Sequence, residues 1–192
     1  DGLMQSLVDD FNVDRLQWRP AIVFINGEYW GIHHIREKIN EHYVASHHDV
    51  APNEVDLLEI QNDVIHGRND DYLALLNYIQ NNNLANDDRY AWVEERIDVD
   101  SYLDYMVAQI FFDNRDWPGN NIKYWKARRP EAKWRWILFD TDFGFGLFED
   151  NTYGRNTIAF ALDPNGPGWP NPPWSTYLFR NLVKNEGFEN AL

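Results

Sequence analysis

Acids and amides crowd two stretches that border apolar runs. The first is "DNRDWPGNN", Asp113 to Asn121, after "YMVAQIFF"; the second is "DTDFGFG", Asp140 to Gly146, after "KWRWILF". The segments between them, 122–128 and 133–140, read as strands joined by a proline-containing turn. If they pair as a hairpin, the start of one strand lies beside the end of the other. Asn121 then neighbours Asp140 and Asp142, and Asp116 hangs over the same edge. Three carboxylates and an amide in one place repel unless a cation neutralises them. Oxygen-only donors suit Mg²⁺, Mn²⁺ or Ca²⁺ rather than zinc. Mg²⁺ typically shares one or two carboxylates with substrate phosphates, which fits an acidic protein using a nucleotide.

These residues need elements to hold them. Residues 99–113 carry Leu103, Met106, Val107, Ile110 and Phe111 at helical spacing, so a helix delivers the first acidic stretch. Residues 70–81 and 87–97 read as two more helices, and 54–60 as a strand. Upstream, Asn26-Gly27 between apolar runs predicts a hairpin of 20–25 with 28–37, because a type I′ turn needs positive φ at both central positions. Short helices are expected over 3–11, within "INEHYVASHH", over about 175–185 and at "NEGFENAL". Residues 147–173 hold five of the nine prolines and read as a long irregular loop. Strands that meet through hairpins rather than βαβ crossovers make the class α+β.

Composition narrows the function. The chain has 192 residues, 44% hydrophobic and 16% aromatic, as expected of one folded domain. A net charge of −14 argues against nucleic acid and against an anionic membrane surface. No cysteine is present, which excludes disulfides, thiolate metal sites and a cysteine nucleophile. No apolar run reaches the length of a membrane span. The chain opens inside a helical pattern with no initiator Met, so it is expected to be an excised fragment.

The acidic stretches share their order with protein kinases. There a catalytic Asp, four residues and a metal-binding Asn precede a strand hairpin that ends in Asp-Phe-Gly. Here four residues separate Asp116 from Asn121, and Asp142-Phe143-Gly144 follows the second strand. Over nearly the whole chain the sequence resembles the CotH kinase family, named for spore coat protein H. The resemblance rests on "DGLMQSLV" (1–8), "FINGEYWGIHHIREKIN" (24–40), "NRDWPGNNIKYWK" (114–126), "WILFDTDFGFG" (136–146) and "LFRNLVKNEGF" (178–188).

That resemblance implies an atypical protein-kinase-like fold, with about 1–60 as the remnant of an N-terminal lobe and about 61–192 as a helical lobe bearing the catalytic hairpin. It implies ATP and Mg²⁺ or Mn²⁺ as cofactors, and a Ser/Thr acceptor on a bacterial surface or spore-coat protein. Asp116 resembles the catalytic Asp, and Asn121 and Asp142 the metal-holding pair. Asp140, first acid of the Asp-x-Asp run, is placed at a second metal. Family members carry a basic, Asn/Gly-rich segment upstream that is missing here. Within the chain, Arg36 and Lys38 are candidates to grip the nucleotide phosphates, and Glu37 to pair with a lysine.

Plainer roles remain for each residue. Asp116 could cap a turn, and Asp140 and Asp142 could be half-buried acids past a strand end. His33-His34 and His47-His48 lack metal-ligand spacing and are read as structural. Asp98, Asp100 and Asp104 are read as helix N-terminal charges. Trp169 and Trp174 pack a proline-rich loop or form a sugar-stacking platform. The rival functions are a non-catalytic surface module, pseudokinase or carbohydrate-binding, and a metal-dependent hydrolase using the same acids.

Overall fold

Alternation along three strands decides where the core lies. On β4 (Val55–Glu59), β6 (Lys123–Ala127) and β7 (Arg135–Leu138), successive side chains face opposite sides of one sheet. Leu58, Tyr124, Trp136 and Leu138 enter the larger core, and Val55, Leu57, Trp125 and Ile137 the smaller one. A sheet buried on both faces needs this double apolar pattern, and the aromatic content supplies it. The structure, a computed structural model, describes residues 1–147 and 152–192.

The sheet order is β1-β7-β6-β4-β5, with β1 (Asp14–Arg15) parallel to β7 and β5 (Asp63–His66) closing the far edge. The larger core is covered by α3 (Asp70–Asn81), α5 (Val99–Phe111) and α7 (Tyr177–Leu182). The smaller is covered by α2 (Glu41–His47) through Tyr43 and Val44. The remaining helices are α1 (Gly2–Leu7), α4 (Asp87–Glu94), α6 (Thr157–Leu162) and α8 (Glu186–Ala191). Asparagine and aspartate begin many of them. Asn40, Asn86, Asp98, Asn156 and Asn185 each accept a hydrogen bond from a first-turn backbone N–H.

A separate two-stranded sheet pairs β2 (Trp18–Ile25) with β3 (Glu28–Arg36). Its turn has φ 52° at Asn26 and 84° at Gly27, as the sequence predicts. Ile22, Phe24, Trp30 and Ile32 on this hairpin are exposed.

The fold is mixed α and β, and it departs from expectation in four places. The parallel β1–β7 pair and the neighbouring of β4 with β6 are long-range pairings, not hairpins. β1 and β5 are strands with no counterpart in the periodicity reading. The expected irregular loop over 147–173 contains α6, capped by Asn156; its positions 148–151 lie outside the described residues. The helix expected over 87–97 stops at Glu94, and Ile97 instead bridges to Trp134. The lobe boundary expected near residue 60 lies between β4 and β5. Among the described residues no helix is long and apolar enough to cross a membrane.

Candidate functional site

The β6–β7 hairpin has a left-handed residue just outside each strand. Asn121 has φ 53° and Asp140 has φ 53°. Asn and Asp tolerate that region better than other residues with a Cβ. The two turns bring the flanks together, and the Asn121 amide nitrogen lies 3.4 Å from the Asp140 carbonyl oxygen.

The loop leaving α5 is held from inside. Asn114 is buried, donates to Gln109 Oε1 at 2.9 Å and accepts from the Asp116 N–H at 3.2 Å. Asp113 is buried too and accepts from Thr157 Oγ1 at 2.8 Å. Two backbone bonds dock this loop on the second acidic stretch: Arg115 N–H to Phe143 O at 3.1 Å, and Phe145 N–H to Phe112 O at 2.7 Å. The docking is close enough to demand glycine at 144. A Cβ there would lie 2.5 Å from Met4 Cε and 2.7 Å from Phe112 O.

Asp116 is half-buried, and its Oδ2 accepts from Asn120 Nδ2 at 2.9 Å and Asn121 Nδ2 at 2.8 Å. Its Oδ1 has no donor among the described residues. Asn121 spends its nitrogen on Asp116, which leaves its Oδ1 available to a cation. Asp140 is half-buried and faces Asp142. Burial, the Asp142 charge and a hydrogen bond with it push the Asp140 carboxyl above its ordinary value, and Asp116 adds to the push. Arg36 alone pulls the other way. Asp142 itself is exposed, not half-buried as expected.

The four residues are linked in the order Asp116–Asn121–Asp140–Asp142: Asn121 bonds to Asp116 and to the Asp140 carbonyl, and the Asp140 carboxyl meets Asp142. Among the described residues no three acidic or imidazole groups make a ready metal cage. The donor set still fits a hard cation. All its free donors are oxygens, and Asp140 sits against a like charge that a cation would relieve.

Three further predicted residues lie at the end of β3 and just beyond. Arg36 pairs with Asp1 at 2.6 Å. Among the described residues Glu37 pairs with no lysine: its Oε2 accepts from the Gln17 N–H at 2.8 Å and its Oε1 meets His47 Nε2 at 2.8 Å. Lys38 is exposed, with no polar partner among the described residues. The histidines serve as ties, His47 to Glu37 and His48 to Asp14 at 3.0 Å. Asp98 caps α5, whereas Asp104 lies beyond the first turn and accepts from the Asn12 N–H at 2.6 Å.

Sequence reasoning missed Asp1. Its side chain is 1% exposed, and its Oδ1 accepts from both the N–H and the hydroxyl of Thr141 at 2.9 and 2.7 Å. "DGLMQ" was a visible motif, but nothing local tied its first residue to a loop 140 positions away.

A second concavity adjoins β6. It is a cavity of about 630 Å³ lined by Tyr72, Tyr102, Tyr124, Trp136 and Trp174, with Gln61, Asn62, Asn77 and Gln80 among its polar groups. Among the described residues its lining has no acidic or basic side chain, and Ile122, next to Asn121, forms part of its wall.

A family model described as CotH kinase protein matches residues 1–192, the whole chain. No curated protein matches it.

Proposed function

The chain belongs to the CotH kinase family, and from that premise we propose that it transfers the γ-phosphoryl group of ATP to a Ser or Thr hydroxyl of a surface or coat protein. The reading carries with it a kinase-like arrangement, in which the β2–β3 hairpin stands for the N-terminal lobe and the helices around β4–β7 for the C-terminal one. The observation that supports it is the hydrogen-bonded chain from Asp116 through Asn121 to Asp140, with Asp142 at its end.

Asp116 suits the role of base. Asn120 and Asn121 fix one carboxylate oxygen, which leaves the other to orient an acceptor hydroxyl and take its proton. Asn121 Oδ1, Asp142 and Asp140 would hold Mg²⁺ or Mn²⁺, which neutralises phosphate charge when bound. Arg36 is the cation best placed to meet the phosphates, since its charge already reaches Asp140. Positioning and charge neutralisation then supply most of the rate.

The test is transfer of labelled γ-phosphate to a hydroxyl-bearing protein. Asp116→Ala and Asp142→Asn should each lower kcat by roughly 10²–10⁴-fold, the scale of a lost acid–base or metal-binding group. Undiminished transfer by both variants rejects the assignment. Release of phosphate to water alone, with the same losses, makes the protein a hydrolase.

The aromatic cavity favours a second reading, a module that binds neutral saccharides. Aromatic faces take the C–H side of a sugar ring, and uncharged amides pair with hydroxyls that both donate and accept. Calorimetric titration with neutral oligosaccharides, against Trp174→Ala and Gln80→Ala, tests it. Saccharide binding with no nucleotide binding replaces the kinase reading; no heat from either variant or wild type removes this one.

A further inference from the structure

Asp1 joins two parts of the proposed site that do not otherwise touch through the contacts described. Its Oδ2 lies 2.6 Å from Arg36 Nη1, at the end of β3. Its Oδ1 accepts both the backbone N–H and the hydroxyl of Thr141. Thr141 is fully buried between the two acids Asp140 and Asp142. A third donor, Gln5 Nε2, stands 3.4 Å from the same oxygen.

A carboxylate removed from water is costly to keep unless its lone pairs are satisfied. This one has a guanidinium on one oxygen and two short hydrogen bonds on the other, so its orientation is set from both sides. Arg36 is about one-third exposed, 34%, and its long side chain would otherwise sample many rotamers. Asp1 removes that freedom. Among the described residues the guanidinium has a single polar contact, at Nη1, which leaves donors for a phosphate. Among the described residues the β2–β3 sheet shares no strand pairing with the main sheet. Asp1 is thus a charged link between the hairpin's last residue and the loop that carries both acids.

We propose that Asp1 is a positioning residue, which holds the Arg36 guanidinium toward the nucleotide phosphates and fixes the Asp140–Asp142 loop beneath them. The proposal rests on the phosphoryl-transfer reading. It assigns to "DGLMQ" a role in binding the nucleotide's charged end, without contact between Asp1 and the substrate.

Calorimetric titration with Mg²⁺-ATP tests it, alongside titration with Mn²⁺ alone and thermal unfolding of each variant. Asp1→Asn should weaken Mg²⁺-ATP binding about tenfold or more, the scale of a charge-assisted hydrogen bond lost from the phosphate grip. Arg36→Met should cause a similar loss. The double variant should bind no worse than Arg36→Met, because Asp1 acts through Arg36. Thr141→Val removes only the hydroxyl donor and leaves Arg36 untouched; it should weaken Mn²⁺ binding by a few-fold. If Asp1→Asn does not fold well enough to titrate, Thr141→Val carries the test. Nucleotide binding within twofold of wild type in Asp1→Asn, or losses that add in full in the double variant, overturns the proposal while leaving the kinase reading intact. Unchanged Mn²⁺ binding in Thr141→Val does the same. Wild-type protein that binds neither Mn²⁺ nor nucleotide rejects both.

Discussion

Each end of β7 is tied to an aspartate, one through the Arg135 side chain at its start and one just past its last residue, and the two are treated in opposite ways. Asp14, on the parallel β1 strand, pairs in register with Ile137, and its side chain bonds to Arg135, the first residue of β7. Asp14 is 9% exposed and receives Trp125 Nε1 at 2.7 Å, His48 Nε2 at 3.0 Å and Arg135 on both oxygens at 3.3 Å. Burial alone pushes its carboxyl up, but the His48 hydrogen bond, the Arg135 charge and Trp125 together hold it below its ordinary value. Arg135 is shared in turn with Asp98, the cap of α5. Beyond the last residue of β7 lies Asp140, whose neighbour is another aspartate and whose carboxyl is held above its ordinary value. One end of the strand is a finished ion network. At the other end an acid sits against a like charge, a pattern that marks candidate functional groups.

The largest effect expected from this contrast is at the finished end. Arg135→Met would leave Asp14 and Asp98 without their shared cation, and Asp14 buried. Breaking a buried pair by removing one partner costs about 3–5 kcal/mol. For a chain of this size that corresponds to a fall of roughly 6–20 °C in Tm. Chemical and thermal unfolding measure it, and a fall of only a degree or two would mean that Asp14 is solvated in practice and the contrast is overdrawn. Phosphoryl transfer at a temperature where the variant is folded should be little changed, since Arg135 lies at the opposite end of the strand from Asp140.

Added metal should act only at the unfinished end. A cation that binds the folded chain and not the unfolded one raises stability by about 2.7 kcal/mol at a hundredfold excess over its Kd. Mn²⁺ should therefore raise the Tm of wild type and of Asp14→Asn alike, and leave the Tm of an Asp140→Asn, Asp142→Asn double variant unmoved. Differential scanning calorimetry across a Mn²⁺ series distinguishes these. An equal rise in the double variant would place the cation elsewhere.

Why one end could be read from the sequence and the other could not follows from separation along the chain. Asp116, Asn121, Asp140 and Asp142 all flank a single hairpin, so a local pairing was enough to place them together, and the Asn26-Gly27 turn and α3 were legible for the same reason. Asp14 and Asp1 were not. Their partners, Arg135 and Thr141, lie 121 and 140 positions away, and β1 is only two residues long, below any detectable alternation. Glu37 looked like a lysine's partner by analogy; the neighbour that claims it, His47, arrives on the α2 helix that follows it. Asp142 was expected half-buried because apolar residues surround it in sequence. In the fold the chain turns at 142–147 and leaves it, with Phe145 and Leu147, facing outward.

The smallest effect is also the one whose sign depends most directly on the contrast. In the folded chain Asp140 keeps its proton to a higher pH than the ordinary value of 3.8 it has when unfolded. Its ionisation therefore costs stability, and the cost sets in as pH rises from the unfolded value through the folded one. Asp140→Asn should stabilise the metal-free protein at neutral pH by less than about 1 kcal/mol, the scale of a screened, partly exposed charge pair. The gain should vanish in acid, where the native carboxyl is already neutral. Asp14 runs the other way. Its folded value is depressed, so its contribution is complete above the unfolded value and is lost as pH falls through the folded one. Asp14→Asn should destabilise at neutral pH and progressively less in acid. Urea unfolding of both variants between neutral pH and the acid limit of folding gives two curves that should converge on wild type from opposite sides. If Asp140→Asn destabilises at neutral pH in the absence of metal, Asp140 is a structural acid like Asp14, and the difference between the two ends of β7 disappears.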